Sequence, residues 1–102
     1  MRKIINGRKY DTDTAKEICS TNVRNLSKSD FNYLCLTLFL KKTGEFFIEK
    51  ETYNDLEIYL ESDIENLRIH DSRGFLVCDA KDFIAEFGSV EQYEELFGEV
   101  SE

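Results

Sequence analysis

Between Phe31 and Lys42, Leu34, Leu36, Leu38 and Leu40 would line one face of a strand, and Tyr33, Cys35, Thr37 and Phe39 the other. Both faces are largely apolar, so the segment predicts a central strand with packing on each side. Lys42-Thr43-Gly44-Glu45 reads as a turn, and Glu45 to Lys50 returns with Phe46 and Ile48 on one face, giving a central hairpin. At the N-terminus, Lys3-Ile4-Ile5 followed by Asn6-Gly7 predicts a short strand entering a turn.

Thr14 and Glu17 stand at capping-box spacing, while Ala15, Ile18 and Cys19 recur at i, i+3 and i+4. A short N-terminal helix from Asp13 to Ser20 is therefore expected, followed by a polar loop from Thr21 to Asp30. Thr52 to Asp71 fits two patterns. Leu56, Ile58 and Leu60 alternate as in a strand, whereas Leu56, Leu60, Ile64 and Leu67 match a helical stripe; strands at 56–60 and 65–70 are preferred. Ser72-Arg73-Gly74 then turns the chain into a short strand from Phe75 to Cys78.

Two short C-terminal helices follow. Asp79 can cap the first, whose Ala80, Phe83, Ile84 and Phe87 form its apolar stripe, with Gly88 ending it in the left-handed conformation. Ser89 caps the second, with Val90, Tyr93, Leu96 and Phe97 as the buried stripe and Gly98 as the stop. These elements make one α+β domain over residues 1–102, an antiparallel sheet with helices near both ends.

Composition narrows the functional classes. With 41% hydrophobic and 33% charged residues, the chain is too apolar for a disordered acidic tail and too polar for a membrane span. No long apolar run marks the start as a signal peptide, so a cytoplasmic location in a host cell is expected. Cys19, Cys35 and Cys78 are widely spaced and His70 is the only histidine, which argues against a disulfide framework or a zinc site. The glycines stand singly, so neither a P-loop nor a dinucleotide fingerprint is present. His70 has Asp71 beside it but no nucleophile at a recognisable spacing, and reads as a surface residue at a strand end. Cys35 and Cys78 fall in apolar runs and read as core filler. Phe46, Phe83, Phe87, Tyr93 and Phe97 fall on inward faces, which leaves Tyr53 and Tyr59 as the exposed aromatics. A non-enzymatic protein without metal or cofactor is the expectation.

Charge is distributed unevenly. Residues 1–50 carry ten basic side chains against six acidic ones, whereas residues 51–102 carry fifteen acidic against Arg68, Arg73 and Lys81. Such an excess attracts basic surfaces and repels phosphate. On the two C-terminal helices Asp82 and Glu86 stand four apart, as do Glu91 and Glu95, with Glu94 between. Like charges at that spacing lie about 5–6 Å apart and oppose helix formation. This outward acidic surface, with Glu57 and Glu61 as a second group, is the candidate site for a basic, nucleic-acid-handling partner. Arg2, Lys3, Arg8 and Lys9, reinforced by Arg24 and Lys28, form the opposing candidate, a small phosphate-binding cluster. The overall charge of −8 disfavours direct nucleic-acid binding, which depends on counterion release from many phosphates.

Three segments carry a family resemblance. They are Ile5-Asn6-Gly7-Arg8-Lys9-Tyr10-Asp11-Thr12-Asp13-Thr14-Ala15, then Asp30-Phe31-Asn32-Tyr33 leading to Lys42-Thr43-Gly44-Glu45-Phe46-Phe47, and the ending Glu91-Gln92-Tyr93-Glu94-Glu95-Leu96-Phe97-Gly98-Glu99-Val100. Together they resemble a family of small proteins carried by phages and integrative elements of Firmicutes. The chain departs from that pattern at Cys35 and Leu36, where relatives usually carry Glu, and at the acidic stretch Thr52 to Asp71, where they have a Gly-rich connection. Similar small acidic proteins of these mobile elements include inhibitors of Cas9-type nucleases, so the resemblance implies an anti-CRISPR role. Cas9 holds guide and target in positively charged channels and reads its flanking motif with arginines, surfaces that an acidic protein can meet as a nucleic-acid mimic.

Overall fold

The computed structural model describes residues 1–99; Val100, on which the third resembling segment ends, lies outside them. Six strands and three short helices follow one another as β1 (Arg2–Ile5), β2 (Arg8–Asp11), β3 (Lys16–Asn22), β4 (Leu34–Leu40), β5 (Phe46–Thr52), β6 (Leu56–Leu60), a 3-10 helix (Glu61–Leu67), α1 (Ala80–Phe87) and α2 (Val90–Phe97). β3 to β6 form an antiparallel meander in sequence order, and β1 and β2 form a separate hairpin. The fold is α+β.

β4 lies inside the sheet, as its two apolar faces require. Leu36 and Leu38 pack with Ile18, Ile48, Ile64, Ile69, Val77, Ala80, Phe83 and Ile84 in the main core beneath the helices. Phe39 points the other way and joins Phe47, Ile58 and Tyr10 in a second core, closed by Met1 and Ile5 of the β1–β2 hairpin. The sheet is therefore sandwiched, by helices on one face and by a hairpin over part of the other. The hairpin turn places both Asn6 (φ 52°) and Gly7 (φ 76°) in the left-handed region. That pairing matches strand twist in two-residue turns, and asparagine and glycine tolerate it best.

The expected N-terminal helix is replaced by β3. Asp11 spends its carbonyl on the amides of Thr14 and Ala15 and a carboxylate oxygen on that of Asp13, so the capping residues close a turn and no helix begins. β3 then pairs with β4 through a bulge between Glu17 and Cys19. The bulge lets the neighbours Ile18 and Cys19 both reach the main core, which reproduces in a strand the adjacency that resembled a helical stripe.

Residues 52–71 divide between the two templates. Leu56–Leu60 is the expected strand; Glu61–Leu67 is a 3-10 helix that buries Ile64 and ends at Arg68 in the left-handed conformation (φ 58°), where a strand over 65–70 was expected. The strand expected at Phe75–Cys78 is reduced to one bridge between His70 and Leu76.

Both C-terminal helices have the expected caps: Asp79 accepts from the Asp82 amide, and Ser89 and Gln92 form a capping box. Gly88, however, has φ −95° and is not left-handed. Glycine is required there by close approach, because a Cβ would meet the Ile84 carbonyl oxygen at 2.8 Å and Gln92 Oε1 at 2.9 Å. Val90 is 67% exposed and Phe97 37%, so the buried side of α2 is narrowed to Tyr93 and Leu96.

Candidate functional site

The acidic candidates are dispersed over the surface. On α1, Asp82 and Glu86 line a cleft with Asp71, Arg73 and Phe75. In that cleft Asp71 holds the Arg73 guanidinium at 2.8 Å, which keeps its own carboxyl below the ordinary aspartate range. On α2, Glu91 and Glu95 are exposed and Glu94 is half-buried. Glu95 lies 3.5 Å from Lys16 at the β3 end of the sheet. The two helices therefore offer their carboxylates at different clefts.

Glu57 and Glu61 are engaged within the fold. Glu57 accepts from the Tyr59 hydroxyl, a bond that lowers the carboxyl pKa and pushes the phenol up to about 12. Glu61 Oε2 accepts from the Ala80 amide at 3.0 Å. Asp79 already serves the Asp82 amide, so two carboxylates from different parts of the chain satisfy the N-terminus of α1. Glu61→Ala is expected to lower unfolding stability by about 1–2 kcal/mol, read by urea denaturation, because it leaves that amide without its charged acceptor.

The basic cluster is divided by the strand pleat. Lys3 pairs across the hairpin with Tyr10, and Ile5 with Arg8, on the side that packs against the sheet, whereas Arg2 and Lys9 lie on the outer side with Ile4. Arg8 is held 3.0 Å from Glu45, and Arg2 stands 4.0 Å from Asp11. Arg24 donates to the Asn32 carbonyl, and Lys28 lies 3.7 Å from Glu51. The four hairpin cations thus do not share one face.

Glu45 ties the hairpin to the β4–β5 turn. It accepts from the Tyr10 hydroxyl at 2.9 Å and from Lys41 at 3.1 Å, and Lys41 sits 4.2 Å above the Tyr10 ring. These bonds, led by that from Tyr10, hold the Glu45 carboxyl below its ordinary value of 4.5. A carboxyl depressed on folding contributes stability above the unfolded value and loses it as pH falls through the folded one. Glu45→Gln is expected to lower the urea midpoint at neutral pH and to bring the two proteins together below pH 4.5. Glu49 shifts the opposite way, so the difference between variant and wild type isolates the Glu45 contribution.

From the edge of the second core, where Ile58 is still buried, the same sheet face continues as two rows across the four strands. One row is Ser20, Thr37, Glu49 and Ile58; the other is Asn22, Cys35, Glu51 and Leu56. Partial burial raises the Glu49 carboxyl, and Glu51 and Glu17 add to the rise while the chain's amino group opposes it. Glu51 accepts from the Tyr33 hydroxyl at 3.0 Å, and burial with that bond raises the phenol's pKa. At the end of this face Phe31, 81% exposed, and Tyr53, 43% exposed, meet with ring centroids 4.6 Å apart.

Tyr53 was expected to be exposed; Tyr59 instead packs against the main core, and Phe31 was not anticipated. Its signal is Ser29-Asp30-Phe31-Asn32: Asp30 accepts from the Asn32 amide at 2.8 Å, making a turn that turns Phe31 outward before β4 begins. Glu17 and Glu49, in the more basic half, and Glu51, at the start of the acidic one, were likewise hidden, since only strand pairing brings them to one face.

Burial pushes the Cys19 thiol up to about 11 and raises that of Cys78, which disfavours the reactive thiolate at both. Cys35 is half-buried, whereas Cys78 is exposed, because the segment expected to be a strand leaves the sheet after a single bridge. His70 is exposed at that bridge, where the sequence placed it. Among the described residues no three His, Cys, Asp or Glu side chains are grouped to hold a metal ion, and no helix is long and apolar enough to cross a membrane. No family model, curated protein or solved structure matches the chain.

Proposed function

We propose that this protein is a non-enzymatic inhibitor that binds a basic, nucleic-acid-handling partner of the Cas9 type and blocks its engagement with guide RNA or target DNA. The observation carrying the reading is the outward display of Asp82, Glu86, Glu91 and Glu95 on two capped helices whose opposite sides are fixed in the main core. Carboxylates held in this way lose little freedom on binding, and ordering entropy is a principal cost of association. The resemblance to small acidic proteins of mobile elements supplies the identity of the partner.

Purified protein added to a Cas9 cleavage reaction before or after guide loading tests the proposal. Inhibition only before loading places the block at guide engagement, whereas inhibition at both stages places it at target binding or cleavage. Absence of inhibition across several type II-A orthologues overturns it. The competing reading, phosphate binding by Arg2, Lys3, Arg8 and Lys9, requires a salt-sensitive gel shift with nucleic acid alone. The inhibitor reading expects none.

A further inference from the structure

Phe31 and Tyr53 come from separate turns, pack on each other and bury neither ring in a core. Aromatic rings carry much of the energy of interfaces, and an exposed apolar patch rimmed by polar residues marks an interaction site. Beside them Met1, Glu51, Thr52, Asn54, Asp55 and Leu56 line a shallow groove. Through Glu51 and Leu56 the groove joins the two rows of the sheet, where Glu49 stands with Glu51, while Glu17 lies one row further off, opposite Phe39. Its cationic neighbours include Lys28, which reaches Glu51, the amino terminus, which donates to Thr12, Arg24, committed to the Asn32 carbonyl, and Lys3 on the sheet side of the hairpin, whose charge acts on Glu57.

We infer that this aromatic and acidic sheet face is a docking surface for an arginine-bearing segment of a basic protein, with a guanidinium stacked on the Phe31–Tyr53 pair and bonded to Glu51 or Asp55. An apolar occupant would desolvate both carboxylates without return. A phosphate would be repelled by them. An arginine satisfies both features, since its planar group stacks on an aromatic face while its fork of donors meets a carboxylate. Lys28 already occupies part of this position, its ammonium 3.7 Å from Glu51, and the incoming group replaces it. Both turns are fixed by their own bonds, Asp30 to Asn32 and Thr52 to Asp55, so the aromatic pair is in place before binding. The inference rests on the reading that the partner is basic and adds where, and by which side chain, it is recognised.

The test titrates the full chain, labelled with nitrogen-15, with a blocked Gly-Arg-Gly-Arg-Gly peptide and with its lysine and citrulline counterparts. Amide shifts are expected at residues 30–33 and 51–56, with arginine binding about 3-fold tighter than lysine and citrulline weakest. Phe31→Ala and Tyr53→Ala should each weaken binding about 5-fold with thermal unfolding unchanged, since neither ring is buried in a core. Lys28→Ala should strengthen binding by removing the resident cation. Shifts centred on Asp82 and Glu86 or on Glu91 and Glu95, equal binding of citrulline, or undiminished binding by both aromatic variants overturns the inference. A protein that binds the peptide here but inhibits no Cas9 upholds this surface and overturns the proposed function. One that inhibits, with peptide binding unaffected in both aromatic variants, does the reverse.

Discussion

Phe47→Ala is expected to lower unfolding stability by about 3–5 kcal/mol, a large part of the roughly 5–15 kcal/mol that holds a domain folded. Phe47 is fully buried, stacks on Phe39 with centroids 5.3 Å apart, and meets the edge of Tyr10 at 5.5 Å. It is thus a central apolar contact between the β1–β2 hairpin and the sheet, and truncation leaves a cavity between two layers that cannot close without moving the hairpin. Urea unfolding gives the magnitude, and hydrogen exchange its location: β1 and β2 amides should lose protection before those of β4 and β5. A loss below about 1 kcal/mol would mean that the hairpin is held by its polar bonds to Glu45 instead of by apolar packing.

The second large effect concerns the partner. Reversing Glu91, Glu94 and Glu95 to Lys is expected to weaken binding to the proposed Cas9-type partner by about 2–5 kcal/mol if those carboxylates meet desolvated arginines. The fold should persist, because Tyr93 and Leu96 anchor α2. The ion pair from Lys16 to Glu95 that the reversal sacrifices joins two groups each more than 60% exposed. Such pairs contribute about 0–1 kcal/mol. Lys81, which lies over the Tyr93 and Phe97 rings, continues to cover the aromatic side of the helix. Binding measured by calorimetry or surface plasmon resonance at two salt concentrations separates the cases. A contact at the rim changes the association rate and its salt dependence, and a buried one the dissociation rate. Unchanged inhibition by the folded triple variant would remove α2 from the contact. Phe31→Ala and Tyr53→Ala then become the decisive variants in the same assay, because Glu57 and Glu61 are already committed to Tyr59 and to the start of α1.

The central hairpin, the first turn and both C-terminal helices were legible in the sequence because each is specified by local chemistry. Two-faced apolar alternation, an Asn-Gly turn and side-chain caps act within a few residues, and the contacts they select are the ones observed. The acidic faces of α1 and α2 follow from the same periodicity. Where reading failed, a local signal had a second use. The Asp11 to Glu17 stretch has the residues of a helix start, but Asp11 closes a turn and the bulge at Ile18 lets β3 extend the sheet edge. The long-range pairing with β4 adds a full ladder of backbone bonds and buries Ile18, which outweighs a short helix that is marginal by itself.

The sequence by itself determined an α+β chain with an apolar central strand and a surplus of carboxylates towards its C-terminal half. Only the tertiary structure decided which charges are available to a partner. Glu61 became a cap for α1, Glu45 a clasp for the hairpin, and the pleat sent Arg2 and Lys9 away from Lys3 and Arg8. Strand register, meanwhile, collected Glu17, Glu49 and Glu51 on a single face that ends at Phe31 and Tyr53. The reason is one of range: apolar periodicity is written along the chain, whereas the partner of a charge is set by whichever distant segment the packing brings within hydrogen-bonding distance.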